Sequence, residues 1–382
     1  MRDFHGYQTL RGSTYNAYLI RDQETALVDT VRAPFAQDLL GNIAELTDLS
    51  GLDYVIANHA EPDHSGALPA LMHACPQATV VCDAKCVDTL GRYYDTGGWR
   101  FHVVATGDTL ELGARTLSFL EVPMVHWPES MLTYCPQEKL LLSSDAFGQH
   151  YASSGRFDDE EPLEVVMAEA KTYYANIVML YGKPIAKALE AASQLDIEMI
   201  APGHGVIWRS HLDSILSAYS DWVVCRPRPK VLVIYDTMWH STEKMAHAVV
   251  EGATRPGVEA KLLDIGATGR TVLATEVLDA AVVAFGSPTL NKTLMPDAAA
   301  VLTYLKGLAP TGKAGFAFGS YGWAPAGPRE VETYLREMKF DILREPLTAQ
   351  YRPTPEVLAE CRAAGQMLAD KAQELAQAAD SS

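Results

Sequence analysis

The chain has 382 residues, more than one core of ordinary size serves, and it reads as two domains. With 48% hydrophobic residues it can bury a core in each, which excludes a disordered chain. Acids outnumber bases by 48 to 31, for a formal net charge of −17, and such a surface repels nucleic acid and anionic membranes and suits a basic partner.

Taken in order, residues 1–7 lack the apolar region of a signal peptide, and no apolar run approaches the ~18 residues of a membrane span. The expected location is therefore the cytoplasm. Residues 13–31 alternate as a hairpin, with a polar turn at 21–24, and residues 34–47 have helical spacing. A short buried strand is expected at 53–57, and a helix starts near Ser65. Between them lies Asn58-His59-Ala60-Glu61-Pro62-Asp63-His64-Ser65-Gly66, with four potential metal ligands, His59, Glu61, Asp63 and His64, in six positions. A strand-to-helix loop at the carboxyl end of a strand is where α/β folds place their chemistry. If the chain stays extended, residues 59, 61 and 63 share a face and His64 points elsewhere. That geometry suits two neighbouring metals better than one.

Strands follow near 78–82, 101–105 and 116–121, with a helix near 84–94, so the first domain is α/β. Three later strands end on further candidate ligands: His126 after 120–125, Asp145 after 139–144 and His204 after 198–203. Segments 163–195 and 211–223 read as helices covering the sheet. The six cysteines include no Cys-x-x-Cys pair, which argues against a zinc knuckle, an iron–sulfur set or a dithiol, and Cys82 and Cys86 read as ordinary thiols.

The Pro- and Arg-rich stretch 225–230 marks the boundary, giving domains 1–226 and 230–382. Val231-Leu232-Val233-Ile234-Tyr235 is a fully apolar strand, typical of a parallel sheet. The loop Thr237-Met238-Trp239-His240-Ser241-Thr242 leads into a helix from Glu243, and Thr237, Ser241 and Thr242 with the free amides of a helix start can cradle a phosphate. Further strands at 260–265, 280–286, 315–319 and near 343–349 alternate with helices, the last at 355–378. Five strands in this order suit a flavodoxin-like, doubly wound parallel sheet that binds FMN at its topological switch point. Two strand-end loops suit the flavin ring: Ser287-Pro288-Thr289-Leu290-Asn291 and Ser320-Tyr321-Gly322-Trp323, where Tyr321 or Trp323 can stack.

His-x-Glu-x-Asp-His followed by His126, Asp145 and His204 resembles the ligand pattern of the metallo-β-lactamase superfamily, whose αββα fold is then expected for the first domain. Its zinc hydrolases carry His-x-His-x-Asp-His; here Glu61 replaces the second histidine, a harder, more oxygen-rich set. This variant, with the hydroxyl-rich loop at 237–242, resembles the flavodiiron proteins, or A-type flavoproteins, and most of all their rubredoxin-dependent, oxygen-reducing members. The resemblance implies one iron held by His59, Glu61 and His126, a second held by Asp63, His64 and His204, and Asp145 bridging both. It also implies a substrate pocket lined by Tyr7, Trp127 and Tyr174, FMN in the second domain, an external rubredoxin as electron donor, and a head-to-tail homodimer or tetramer. The expected reaction is reduction of dioxygen to water, with nitric oxide reduction to nitrous oxide as the alternative at the same site. A zinc hydrolase and a flavodoxin-type electron carrier are the readings from other classes. Family members have a strand ahead of the region matching residues 2–7, so the first sheet is expected to lack an edge strand unless the true start lies upstream.

Overall fold

The computed structural model describes residues 3–4 and 7–381, with side chains described from Tyr7 onward. Its first described strands, Asp3–Phe4 and Tyr7–Gln8, pair antiparallel; any strand ahead of them lies outside the described residues. Contacts divide the chain into two compact units, 1–174 with 181–218, and 175–180 with 219–382. The division falls inside the helix Leu212–Trp222, ahead of the Pro- and Arg-rich stretch. Arg228 and Pro229 already belong to the strand Arg228–Tyr235, whose register shifts between Arg228 and Val231, a place where proline's missing donor is tolerated.

The first unit holds two five-stranded sheets. One runs Tyr18–Arg21, Thr25–Val28, Tyr54–Ile56, Thr79–Cys82, Arg100–Val103, antiparallel at the first pair and parallel thereafter. The other runs Met199–Pro202, Leu140–Ser144, Met131–Cys135, Thr116–Glu121, Thr109–Glu111, parallel only at its first pair. Alternation along the strands sends Val28, Ile56 and Val81 of the first sheet against Leu117, Phe119, Leu142 and Ala201 of the second. The opposite face of the first sheet, with Leu27, Val55 and Val80, packs on Leu39, Ile43, Leu71 and Leu90 of the helices that follow its strands. Helices at Leu163–Tyr173, Gly182–Ala192 and Leu212–Trp222 stand where helical spacing places them.

The second unit is an all-parallel sheet in the order Glu259–Asp264, Arg228–Tyr235, Ala280–Gly286, Ala314–Tyr321, with two short strands beyond. The expected fifth strand at 343–349 is broken. Asp341–Ile342 pairs with Ala314–Gly315 and Leu347–Gln350 with Phe318–Tyr321. Pro346 between them has no N–H for the ladder. The chain order reverses beside Arg228–Tyr235, which opens a crevice at the carboxyl ends of the central strands. Among the described residues no helix is long and apolar enough to cross a membrane, and all six cysteines are buried and free.

Beneath this sheet the almost fully buried Lys230 ammonium donates to Asp279 Oδ1 at 2.8 Å and lies 2.5 Å from Glu276 Oε2. Burial pushes the Glu276 carboxyl up, but Lys230 and Lys261 outweigh it and hold its pKa below the ordinary value. Removing the buried ammonium strips the acids beside it of their nearest opposite charge, so Lys230→Met is expected to lower stability by about 3 kcal/mol at neutral pH. A carboxylate with a lowered folded pKa stabilises above its unfolded pKa and loses that contribution as pH falls through the folded value. The gap between variant and parent should therefore shrink below about pH 4.5, as measured by urea denaturation at several pH values.

Candidate functional site

Four strand-end loops of the first unit meet at one place. His59 and Glu61 come from the extended chain after Tyr54–Ile56, and Asp63 and His64 from a short helix, Pro62–Ser65. His126 follows Thr116–Glu121, Asp145 follows Leu140–Ser144, and His204 follows Met199–Pro202. The structure brings all seven side chains together in two groups: His59, Glu61, His126 and Asp145 in one, Asp63, His64 and His204 in the other. Within each group one donor atom per residue lies within 4.8 Å of the rest.

Asp145 faces both groups. Its Oδ2 lies 3.1 Å from His126 Nε2 and 3.4 Å from His59 Nε2. Its Oδ1 lies 3.0 Å from His64 Nε2 and 3.3 Å from His204 Nε2. Glu61 Oε2 is 3.2 Å from both His59 and His126, and Asp63 Oδ2 is 3.4 Å from His204. The expectation that His64 points away is corrected. Proline at the first helical position turns the chain at residue 62, and the helical phase swings His64 inward.

Outer partners fix the rings. His204 Nδ1 donates to the Thr14 carbonyl at 2.7 Å, so that nitrogen carries the hydrogen and Nε2 faces the carboxylates. His59 Nδ1 donates in the same way to Glu129 Oε1 at 2.9 Å, which also accepts from the Ala60 amide. Glycines allow the close approach around His204. A Cβ on Gly203 would lie 2.5 Å from His64 Cε1, and Gly205, at φ +81°, faces Gln149 Oε1. Met124, two residues before His126, and Ser144, next to Asp145, hold positive φ, a local strain that the surrounding packing must maintain.

Opposite charges within the cluster outweigh burial. Burial pushes the Asp145 carboxyl up, yet His64, His126 and His204 hold it well below its ordinary value. Burial lowers His126, while Asp145 and Glu61 outweigh it and raise the ring to about 9. Burial likewise opposes Glu61, which its two histidines pull down. Asp63 Oδ1 and Asp145 Oδ2 are buried without a hydrogen bond, though rings lie close to both. Four imidazole nitrogens converging on three carboxylates, with such lone pairs left over, fit a pair of cations of intermediate hardness. Glu129→Gln is expected to weaken retention of the metal nearest His59 about 10–100-fold, the cost of losing an outer partner, with the other metal kept. Metal content after dialysis against chelator measures it.

Of the expected pocket aromatics, Trp127 meets the His59 ring edge-on, centroids 5.1 Å apart. Tyr7 packs on His150, which in turn packs on His204, at 5.2 and 5.0 Å. Tyr174 is fully buried at the start of a π-helical turn, but the hydroxyl that donates to Asp145 Oδ1, at 2.6 Å, belongs to Tyr173. Tyr173, Glu129, His150 and Thr14 carry no signal in local sequence.

The second unit has a cavity of about 680 Å³ at its switch point. Met238, Trp239, Ser241, Pro288, Thr289, Leu290, Asn291, Ser320, Tyr321, Gly322 and Trp323 line it, as the strand-end loops lead one to expect. Thr237, His240, Thr242 and Ser287 are not among the lining residues. Thr242 Oγ1 instead accepts from the Ser320 amide and holds two loops together, and Ser287 Oγ accepts from the Met295 amide. Thr237 Oγ1, buried and without a hydrogen bond, and the helix start at Ser241, where His240 makes no side-chain cap, leave donors for an anion. Lys244, Lys292 and Arg352, which no local sequence pattern marks, add positive charge.

Comparison with known proteins agrees with both units. The family described as ODP family beta lactamase matches residues 14–205, and Flavodoxin matches residues 233–365. The nitric oxide reductase of Moorella thermoacetica is 44% identical over 97% of this chain and 94% of its own length. An anaerobic nitric oxide reductase flavorubredoxin of Klebsiella pneumoniae is 37% identical over 97% and 78%. Among solved structures, the flavodiiron protein of Giardia intestinalis superposes with a TM-score of 0.97 at 39% identity, covering 99% of this chain and 94% of that one. Rubredoxin oxygen:oxidoreductase of Desulfovibrio gigas gives 0.95 at 38% identity, covering 98% and 94%.

Proposed function

From the premise that the chain belongs to the flavodiiron proteins, which are oxidoreductases, we propose that it reduces dioxygen to water at a di-iron centre, using electrons that reach FMN from a rubredoxin. The observation that carries this reading is Asp145, whose two oxygens face two separate groups of histidines and carboxylates. His59, Glu61 and His126 would hold one iron, Asp63, His64 and His204 the other, with Asp145 between them. FMN would occupy the 680 Å³ cavity, its phosphate toward Thr237 and the helix start at Ser241.

When bound, the irons exchange single electrons with a diatomic gas, while the flavin stores the pair received from the donor. The chain's own part is positional. Glu129 and the Thr14 carbonyl keep the Nε2 atoms of His59 and His204 turned to the centre. Tyr173 holds a proton at Asp145 Oδ1, and Trp127 covers the His59 ring against water. The dispersed, buried cysteines of residues 1–382 offer no iron–thiolate set, so these residues do not themselves hold the donor's iron.

Nitric oxide reduction to nitrous oxide is the second reading, favoured by the names of the Moorella and Klebsiella relatives. Steady-state consumption of each gas with reduced rubredoxin, on protein of measured iron, zinc and flavin content, separates the two. Iron, flavin and dioxygen turnover are expected; zinc with no gas consumption would leave a hydrolase. The head-to-tail homodimer belongs to the same proposal. Mixing a flavin-deficient with an iron-deficient variant should restore activity, and no recovery refutes it.

A further inference from the structure

We propose that Trp127 and Tyr93 form a path along which the chain itself supplies an electron from its surface to the metal site. The proposal rests on the gas-reducing reading above. Trp127 stands edge-on against the His59 ring at 5.1 Å and 85°, and near His126 at 6.2 Å. Tyr93 lies flat on Trp127, centroids 6.5 Å apart and planes 17° apart, and is 49% exposed. Tyr94 and Trp99 continue the run at 5.9 and 6.3 Å.

Indoles and phenols give up an electron more readily than the other ring side chains, and here the indole touches the site while a phenol reaches water. Tyr94 is the poorer terminus. Ser65 gives its one hydrogen to the Ala60 or Glu61 carbonyl, so the Tyr94 hydroxyl donates to Ser65, which is no base. Packing accounts for Tyr94, Trp99 and Phe101, which line the outer core of the first sheet. It does not account for Tyr93, which stands outside that core, half in water, stacked on an indole that contacts two site rings.

Dioxygen takes four electrons and four protons to become two waters. A turnover that begins with three electrons in the cofactors is one short. Tyr93 closes the deficit: its phenol passes one electron through Trp127 and one proton to solvent, leaving a neutral tyrosyl radical. A small-molecule thiol from solvent returns the hydrogen atom at Tyr93, regenerating the phenol, and two resulting thiyl radicals combine to a disulfide. The path thus protects the site from partly reduced oxygen when the donor runs low.

The test uses holoenzyme given a limiting amount of dithionite, mixed with dioxygen and freeze-quenched for paramagnetic resonance, with oxidised residues mapped by peptide mass spectrometry. The wild type should show a tyrosyl radical and oxidation marks on Tyr93. Tyr93→Phe should lose both, with marks retreating to Trp127, while keeping its turnover under excess donor. Trp127→Phe should lose the radical although Tyr93 is intact. A radical unchanged in Tyr93→Phe overturns the proposal, as does its absence in wild type that consumes dioxygen. Wild type that consumes no dioxygen overturns the gas-reducing reading and this path with it.

Discussion

An Asp145→Asn variant is expected to lose its metals and its gas reduction together while keeping its flavin. Asparagine preserves shape but replaces one anionic oxygen by an NH₂ group, which donates and cannot face a cation. Asp145 is the only side chain of the seven whose oxygens approach both groups, each oxygen lying within 3.4 Å of two histidine nitrogens. Loss of an outer partner already costs about 10–100-fold in metal affinity, and loss of a direct ligand shared by two metals should exceed that at both. The cavity in the second unit contains no residue of this cluster, so flavin content should stay at the parent level. Metal analysis, flavin absorbance and gas consumption on one preparation check the three parts. Retained iron with retained turnover would refute the bridging role.

The second large effect is expected at Gly365, where valine should lower the stability of the flavodoxin unit by about 3 kcal/mol, near the upper end for overpacking. The helices Ser241–Ala253 and Pro355–Asp380 cross with their backbones nearly touching. A Cβ at Gly365 would lie 2.1 Å from the Val249 carbonyl oxygen, and one at Gly252 would lie 2.0 Å from that of Arg362. Neither obstacle is the tip of a flexible side chain, so a helix must shift. The first of these helices starts at Ser241 on the cavity wall, so weakened flavin retention should accompany the loss. Gly307 provides the contrast: its Cβ would meet nothing within 4 Å. There Gly307→Ala should stabilise by roughly 0.5–1 kcal/mol through helix propensity. Urea denaturation of the three proteins measures both effects, and equal midpoints would refute the crossing argument.

The element order was largely legible from sequence because long apolar runs punctuated by glycine and proline mark parallel strands and their ends. The ligand set was legible for a related reason: His126, Asp145 and His204 each stand where such a run stops. His64 was misread by assuming an extended loop, although Pro62 carried the signal of a helical start. Tyr173, unmarked by any local pattern, donates to Asp145 where its neighbour Tyr174 does not, because one helical residue is a rotation of about 100°.

By itself, the sequence determined the inventory: which donors exist, the harder character that Glu61 confers, and a hydroxyl-rich loop ahead of a helix. Only the tertiary structure decided which oxygen of Asp145 faces which group, that Glu129 and the Thr14 carbonyl orient the rings, and that Lys244, Lys292 and Arg352 border the cavity. The physical reason is range. Strand and helix periods act over a few residues, whereas Thr14 and His204 lie 190 residues apart and meet only because sheet packing sets the separation of the strand ends.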